Sequence, residues 1–190
     1  MCGTLRAKRT PILRNMNLTD PPLYWFALRT RHQHEKRVVA HLTSLGVTCY
    51  APFRTERRQW SDRMQSVEVP LIPSLVFVHT TLDDANTLLS DPVLSVNYMI
   101  DTTTGQRLIV PDRQMEQFMR LSQLQKEGLT LLDNHLKPGD RVRVIEGEFK
   151  GIEGELIRIR GHKRVVVRLE GLFALATTYI PGEYLERIDT

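Results

Sequence analysis

The chain has 190 residues, 41% of them hydrophobic and 25% charged, with a net charge of +4. That balance excludes a disordered chain, and no apolar run approaches the roughly 18 residues of a spanning helix or forms the core of a secretory signal. The expected setting is the cytoplasm, without membrane attachment. Cys2 and Cys49 are the only thiols and lie far apart, so neither a disulfide framework nor a paired-cysteine zinc knuckle is expected.

The positive charge is unevenly spread. Between residues 24 and 64, eight basic residues face only Glu35, Glu56 and Asp62, whereas residues 65–121 carry seven acids against Arg107, Arg113 and Arg120. A basic first third points to a polyanionic partner, weakly by itself.

Residues 1–23 lack a hydrophobic period and contain Pro11, Pro21 and Pro22, the pattern of a flexible basic tail. WFALRT (25–30) reads as a strand. From Gln33, the spacing of Val38, Val39, Leu42 and Leu45 predicts a helix with an apolar stripe, and Gly46 stands where a glycine ends it. VTCYAP returns as a strand, and TERRQW with QSVEVP flanks the polar SDRM as a hairpin with a charged tip. LVFVH is apolar almost throughout, as in a central strand buried on both faces. A short helix from Asp83 to Ser90 is expected to be capped by its aspartate, followed by a strand in VLSVNYMI and a turn at TTTG. VPDRQMEQFMRLSQL then predicts a helix, with Asp112 as its N-cap and Met115, Phe118, Met119 and Leu121 on its apolar side.

Residues 24–121 thus alternate β and α without a phosphate-binding glycine loop. An α+β sandwich, one antiparallel sheet with helices against it, fits this order. Residues 122–136 lose the regularity and read as a linker. From 137 to 190, DRVRVIEG, ELIRIR, KRVVVRL, LFALATTY and EYLERI give about five short strands of period two, and closing so small a sheet into a barrel would hide its edges. Gly147, Gly151 and Gly154 are expected at sharp bends.

The run Gly139-Asp140, Val142, Val144, Gly147, Phe149, Gly151 and Gly154 resembles the KOW motif of the NusG/Spt5 transcription factors and of certain ribosomal proteins. WFALRTRHQHEKRVVAHLTSLGVTCYAPF, followed by the charged hairpin and PLIPSLVFV, is similar to the NusG N-terminal (NGN) domain. Together the two resemblances span residues 24 to 188 in the family's order. Within the family, the chain looks most like the specialised RfaH-like and UpxY-type antiterminators of capsular polysaccharide operons. The resemblance implies an NGN-type α/β sandwich at 24–121 and a small all-β, SH3-like KOW barrel at 137–190. It implies a non-enzymatic, monomeric transcription elongation or antitermination factor. The alternatives are a housekeeping NusG role that includes help to Rho, and an RNA-binding ribosomal or translation protein.

The resemblance also implies where partners bind. An apolar depression for the clamp helices of RNA polymerase would be lined by Arg29, Ile72, Pro73, Leu75 and Phe77; alternate residues of that strand could equally be plain core. The chain departs from the family in having Ser74-Leu75 where Gly or Asn followed by Tyr is usual, so an aromatic anchor is missing. Arg31, Lys36, Arg37 and His41 match positions that touch non-template DNA or nearby polymerase in RfaH-like proteins, with nascent RNA a further partner; the bland reading is a solvated helix face, and for His41 a hydrogen-bonded core-edge residue. Phe149 and Lys150, in the loop GEFKG, match the place where the family's barrel binds a ribosomal small-subunit protein or Rho, although Phe149 could instead plug the barrel end. Arg158, Arg160, Lys163, Arg164 and Arg168 give one wall of the barrel a basic face, while acids elsewhere leave the region neutral. No catalytic constellation, cofactor or metal is expected: His32 and His34 with the distant Cys49 form a low-specificity pattern, and no activated serine or cysteine stands out.

Overall fold

The computed structural model describes residues 21–60, 63–124, 129–132 and 139–188. The predicted basic tail up to residue 20, residues 125–128 and 133–136 of the predicted linker, and residues 137–138 at the start of the predicted C-terminal domain lie outside them. The elements begin with β1 (Tyr24–Arg29), α1 (Glu35–Ser44), β2 (Thr48–Tyr50), β3 (Phe53–Trp60), β4 (Arg63–Pro70), β5 (Leu75–Thr80) and α2 (Leu82–Leu89). They continue through β6 (Asn97–Tyr98), β7 (Ile109–Val110), α3 (Asp112–Leu124) and β8 (Thr130–Leu132). The last part holds β9 (Asp140–Val144), β10 (Glu153–Ile159), β11 (His162–Leu169), β12 (Phe173–Ala176), a 3-10 turn at Gly182–Tyr184 and β13 (Leu185–Arg187).

The first sheet runs β2-β5-β1-β6, with β7 also on β1, and its pairings are antiparallel. Its two central strands register Tyr24 with Thr80 and Arg29 with Leu75. Because successive side chains alternate faces, Phe26, Leu28, Val76 and Val78 fill one layer with Val38 and Leu42 of α1 and Ala85 and Leu88 of α2. Trp25, Ala27, Leu75 and Phe77 fill the opposite layer with Met115, Phe118 and Leu121 of α3. LVFVH is nearly all apolar because both of its faces are covered.

Helix ends follow local chemistry. Gly46, at φ 75°, closes α1: its N–H donates to Thr43 C=O and that of Val47 to Leu42 C=O, the paired bonds of a Schellman ending. α2 starts one residue before Asp83, and its cap is Thr81 rather than the aspartate. The Thr81 hydroxyl oxygen accepts from Asp84 N–H at 3.1 Å and its O–H donates to Asp84 Oδ2 at 2.9 Å. At α3 the Pro111 carbonyl accepts from Met115 N–H, so Asp112 is the first helical residue and not the cap. VLSVNYMI contributes only Asn97–Tyr98 as strand. β3 and β4 form a two-stranded ribbon of their own, in register from Phe53↔Pro70 to Trp60↔Arg63.

The C-terminal part is one antiparallel sheet in the order β13-β9-β10-β11-β12-β8. β8 comes from the predicted linker: Thr130–Leu132 pairs with Ala174–Ala176, so that apolar stretch docks as an edge strand. Gly147 and Gly151 turn the chain at φ 81° and 84°, as expected. Gly154 does not mark a bend. It lies within β10, where a Cβ would stand 2.4 Å from the Val166 carbonyl oxygen, so the backbones approach too closely for a side chain.

The two parts touch through α3. The rings of Phe118 and Phe173 lie 5.6 Å apart, Arg113 pairs with Glu153 at 2.6 Å, Gln117 Oε1 accepts from Glu153 N–H and Gln114 Oε1 from Glu170 N–H. One continuous apolar cluster runs from Trp25 and Phe77 through Phe118 to Val165 and Leu175.

Candidate functional site

The entry to β5 is shaped by a buried acid that the sequence reading did not single out. Glu35 opens α1 and is 1% exposed; its Oε1 accepts from Ser74 N–H at 2.6 Å. A carboxylate in a helix's first turn is favoured by the aligned peptide dipoles, and here it also ties α1 to the loop before β5. Thr30 N–H donates to the Ser74 carbonyl at 2.9 Å, securing the same loop from β1. Ser74 has φ 60°, a left-handed conformation that glycine and asparagine adopt more readily. The family's usual Gly or Asn at this place therefore has a backbone reason. An acid at the start of a predicted helix was the available signal for Glu35.

This framing presents Pro73 to solvent and places Ile72 and Leu75 beneath it. Arg29 stands directly across from Leu75 and, by strand alternation, on the α3 face with Leu75 and Phe77; Arg29 is exposed at the rim. The structure thus brings the five residues expected to meet polymerase to one edge and face of the sheet. It corrects the expectation of an open hollow. Ile72 is 7% exposed, Leu75 8% and Phe77 fully buried, in the cluster that includes α3 and the C-terminal sheet. Phe77 packs on Phe118 at 5.5 Å and belongs to the core between sheet and α3.

Arg31, Lys36 and Arg37 project into solvent around the start of α1. Lys36 reaches the β3–β4 ribbon, pairing with Glu68 at 2.9 Å and lying 5.4 Å from the centre of the Phe53 ring. Between α1 and the ribbon is a cleft of about 410 Å³ lined by His32, Gln33, Lys36, Phe53, Arg54 and Pro73, among others. Arg54 and Arg58 both bind Glu56 and hold its carboxyl below the usual range through those hydrogen bonds. Of the two readings of His41, the structure shows the hydrogen-bonded one at the edge of the core. Its Nε2 lies 2.8 Å from Asp91 Oδ2, joining α1 to the loop after α2, and that hydrogen bond lowers the Asp91 pKa.

Phe149 is the second correction: of the two readings, a partner anchor on a loop tip or a plug at the barrel end, its 5% exposure within the large core cluster agrees with the plug and not with an exposed anchor. The two positive-φ glycines either side fold the loop back so that Phe149 C=O accepts from Ile152 N–H and the ring turns inward. Lys150 stays exposed, and its carbonyl lies 3.5 Å from an Arg120 nitrogen of α3. Among the described residues, no group of three His, Cys, Asp or Glu could hold a metal ion, and no helix is long and apolar enough to cross a membrane.

A family profile described as "Transcription termination factor nusG" matches residues 23–119, which span the whole first sheet, α1, α2 and the first eight residues of α3. The chain belongs to the NusG family. Its NusG domain carries the Glu35-braced loop, the Arg29–Leu75 pair and the cationic start of α1, and it places the protein among transcription elongation and termination factors. The matched residues stop short of the C-terminal sheet. No curated protein matches the chain.

Proposed function

We propose that this protein is a non-enzymatic elongation factor whose NusG domain docks on the clamp helices of RNA polymerase and favours processive transcription. The observation that carries this reading is the NusG match across residues 23–119, which includes PLIPSLVFV. Helices dock through spaced apolar anchors, and the exposed Pro73 over Ile72 and Leu75, with Arg29 opposite, supplies such an edge with one cation beside it. Nearby Arg31, Lys36 and Arg37 would neutralise phosphates of the displaced DNA strand. A factor of this kind raises processivity only by its preference for the productive over the paused clamp.

In the arrangement described above, Ile72 and Leu75 are closed to solvent, and the C-terminal sheet covers α3. Full engagement of that face therefore calls for the sheet to leave α3, freeing it to meet other proteins in the cytoplasm. The strand order β13-β9-β10-β11-β12, with the Gly139-to-Gly154 pattern, supports reading this part as a KOW domain. The resemblance to UpxY-type antiterminators favours long polysaccharide operons as the target over a general role.

Copurification tests the reading. Pro73→Glu with Arg29→Glu alters exposed positions only and is expected to remove polymerase from the tagged protein, where Leu75→Asp would bury a charge in the core. Undiminished polymerase recovery would refute the docking edge. Transcript loss confined to long polysaccharide operons on deletion is the expected signature of the specialist; broad change is that of the housekeeping role.

A further inference from the structure

Where α3 meets the C-terminal sheet there is a cleft of about 410 Å³, lined by Gln114 and Gln117 of α3, Arg141 of β9, Glu153 and Glu155 of β10 and Arg168 of β11, among others. Space of that size suits a small molecule. The function proposed above does not use it.

The acids of the cleft are already engaged. Glu153 receives Arg113 at 2.6 Å and Arg143 at 2.7 Å, and the two oxygens of Glu155 each accept from Arg168 at 3.1 Å. Glu170, exposed on the same lining, adds its field to Arg168. Arg113, Arg141, Arg143 and Arg168 thus stand against Glu153, Glu155 and Glu170, one positive charge in excess. Arg141 is the cation left over. It lies directly across from Glu155 in the register, where opposite charges ordinarily pair, yet its guanidinium has no partner among the described residues. It is half-buried, and a polar group so placed ordinarily finds one.

Two further donors line the same space. Gln117 Oε1 accepts from Glu153 N–H at 3.0 Å, and Gln114 Oε1 from Glu170 N–H at 3.1 Å. A backbone N–H can only donate, so it fixes which end of each amide faces it and leaves both NH2 groups without an acceptor among the described residues. The two glutamines are three apart on α3 and share a face. Arg141 is across from Glu155, two residues or about 7 Å along β10 from the Glu153 amide that holds Gln117. Three unanswered donor groups, one of them charged, therefore line one cleft from both parts of the chain.

We infer that this cleft binds a phosphate monoester of small-molecule size, its phosphate bridging Arg141 of the sheet and Gln114 and Gln117 of α3. The three acceptor oxygens of the ester match the three donor groups, where a carboxylate offers two, and the guanidinium fork fits phosphate. A ligand held from both sides fastens the sheet to α3. It is then an effector that opposes polymerase engagement, a consequence that rests on the docking proposed above, whereas the site itself does not.

Isothermal titration calorimetry with the full-length protein, without polymerase, tests the site alone. The probes are glucose 1-phosphate and AMP, with glucose and adenosine as their uncharged counterparts. At least one ester is expected to bind, and its counterpart at least about tenfold more weakly. Arg141→Gln breaks no pairing in the fold and should weaken binding at least about tenfold. Gln117→Glu keeps an oxygen for the Glu153 N–H but replaces the free donor with a repelling charge, and should cost at least about tenfold as well. Lys150→Gln removes an exposed cation outside the cleft and should change affinity less than about twofold. With the ester at ten times its Kd, amide exchange over Gln114–Leu121 should slow about tenfold, because opening the contact releases the ligand. Binding of neither ester, equal weakening by Arg141→Gln and Lys150→Gln, or binding without slower exchange of α3 overturns the inference. Where binding and slowed exchange are both seen the site stands, and polymerase recovery that the ester leaves undiminished then refutes the docking edge alone.

Discussion

Phe118 on α3 and Phe173 on β12 pack edge to face, their centroids 5.6 Å apart at 67° between planes, and on its other side Phe118 lies against Phe77. One side chain therefore belongs to the core of the NusG domain and to its contact with the C-terminal sheet. The polar bonds around it are few and peripheral, so the contact is adjustable by charge.

Arg113→Glu would place a second carboxylate beside Glu153, which now receives both Arg113 and Arg143. The contact is expected to weaken by roughly 1–2 kcal/mol, the loss of an exposed pair plus a repulsion. Faster amide exchange over Gln114–Leu121, with the melting of the first sheet unchanged, is the measurement.

Acid should loosen the same contact. Hydrogen bonds from Arg113 and then Arg143 hold the Glu153 carboxyl below the ordinary carboxylate range. A depressed folded-state pKa contributes stability that is fully present above the unfolded value of about 4.3 and lost as pH falls through the lower folded value. Exchange over α3 should therefore rise only below about pH 4, and Glu153→Gln should abolish that dependence.

Asp91 follows the same sign. His41, first among its partners, lowers its pKa, so the tie between α1 and the loop after α2 persists above the usual aspartate value of about 3.9 and fails on acidification through the folded value. Asp91→Asn is expected to remove this acid-sensitive step from the melting profile of the first sheet.

Glu35→Ala leaves the Ser74 N–H without its acceptor in a closed environment, at an expected cost of about 2–3 kcal/mol in denaturant unfolding. Ser74→Gly relieves the left-handed backbone but adds chain entropy to the unfolded state, so a gain of up to about 1 kcal/mol is expected.

Gly154→Ala would push a methyl group into the Val166 carbonyl. Overpacking against backbone costs about 1–3 kcal/mol, and the effect should appear as a lower melting temperature of the C-terminal sheet with the NusG domain unchanged.

The order of elements in the first sheet and the strands of the second were legible because period and punctuation are local. LVFVH is apolar on both faces, Gly46 carries the positive φ that ends α1, and the alternation in DRVRV and KRVVVRL reports a half-buried sheet. The NusG resemblance was legible for the same reason, since its motifs are contiguous stretches. Local sequence misplaced the cap of α2, because threonine and aspartate both cap helices and only the folded backbone, in which Thr81 accepts from Asp84 N–H, selects Thr81 over Asp83.

Tertiary structure decided which side chains are free. Arg164, Arg168, Arg158 and Lys163 are equivalent in a charge count, yet the first two are satisfied by neighbours distant in sequence, while Arg158 and Lys163 face each other across β10 and β11 with no carboxylate paired to either among the described residues. For His41 and Phe149 the sequence left a partner-binding and a structural reading open, and the fold engages both, one by Asp91 fifty residues away and the other by the core. Burial and pairing are properties of what the chain brings together over long separations. Composition sets how many charges and apolar groups there are, and packing alone assigns each one a partner or leaves it to solvent.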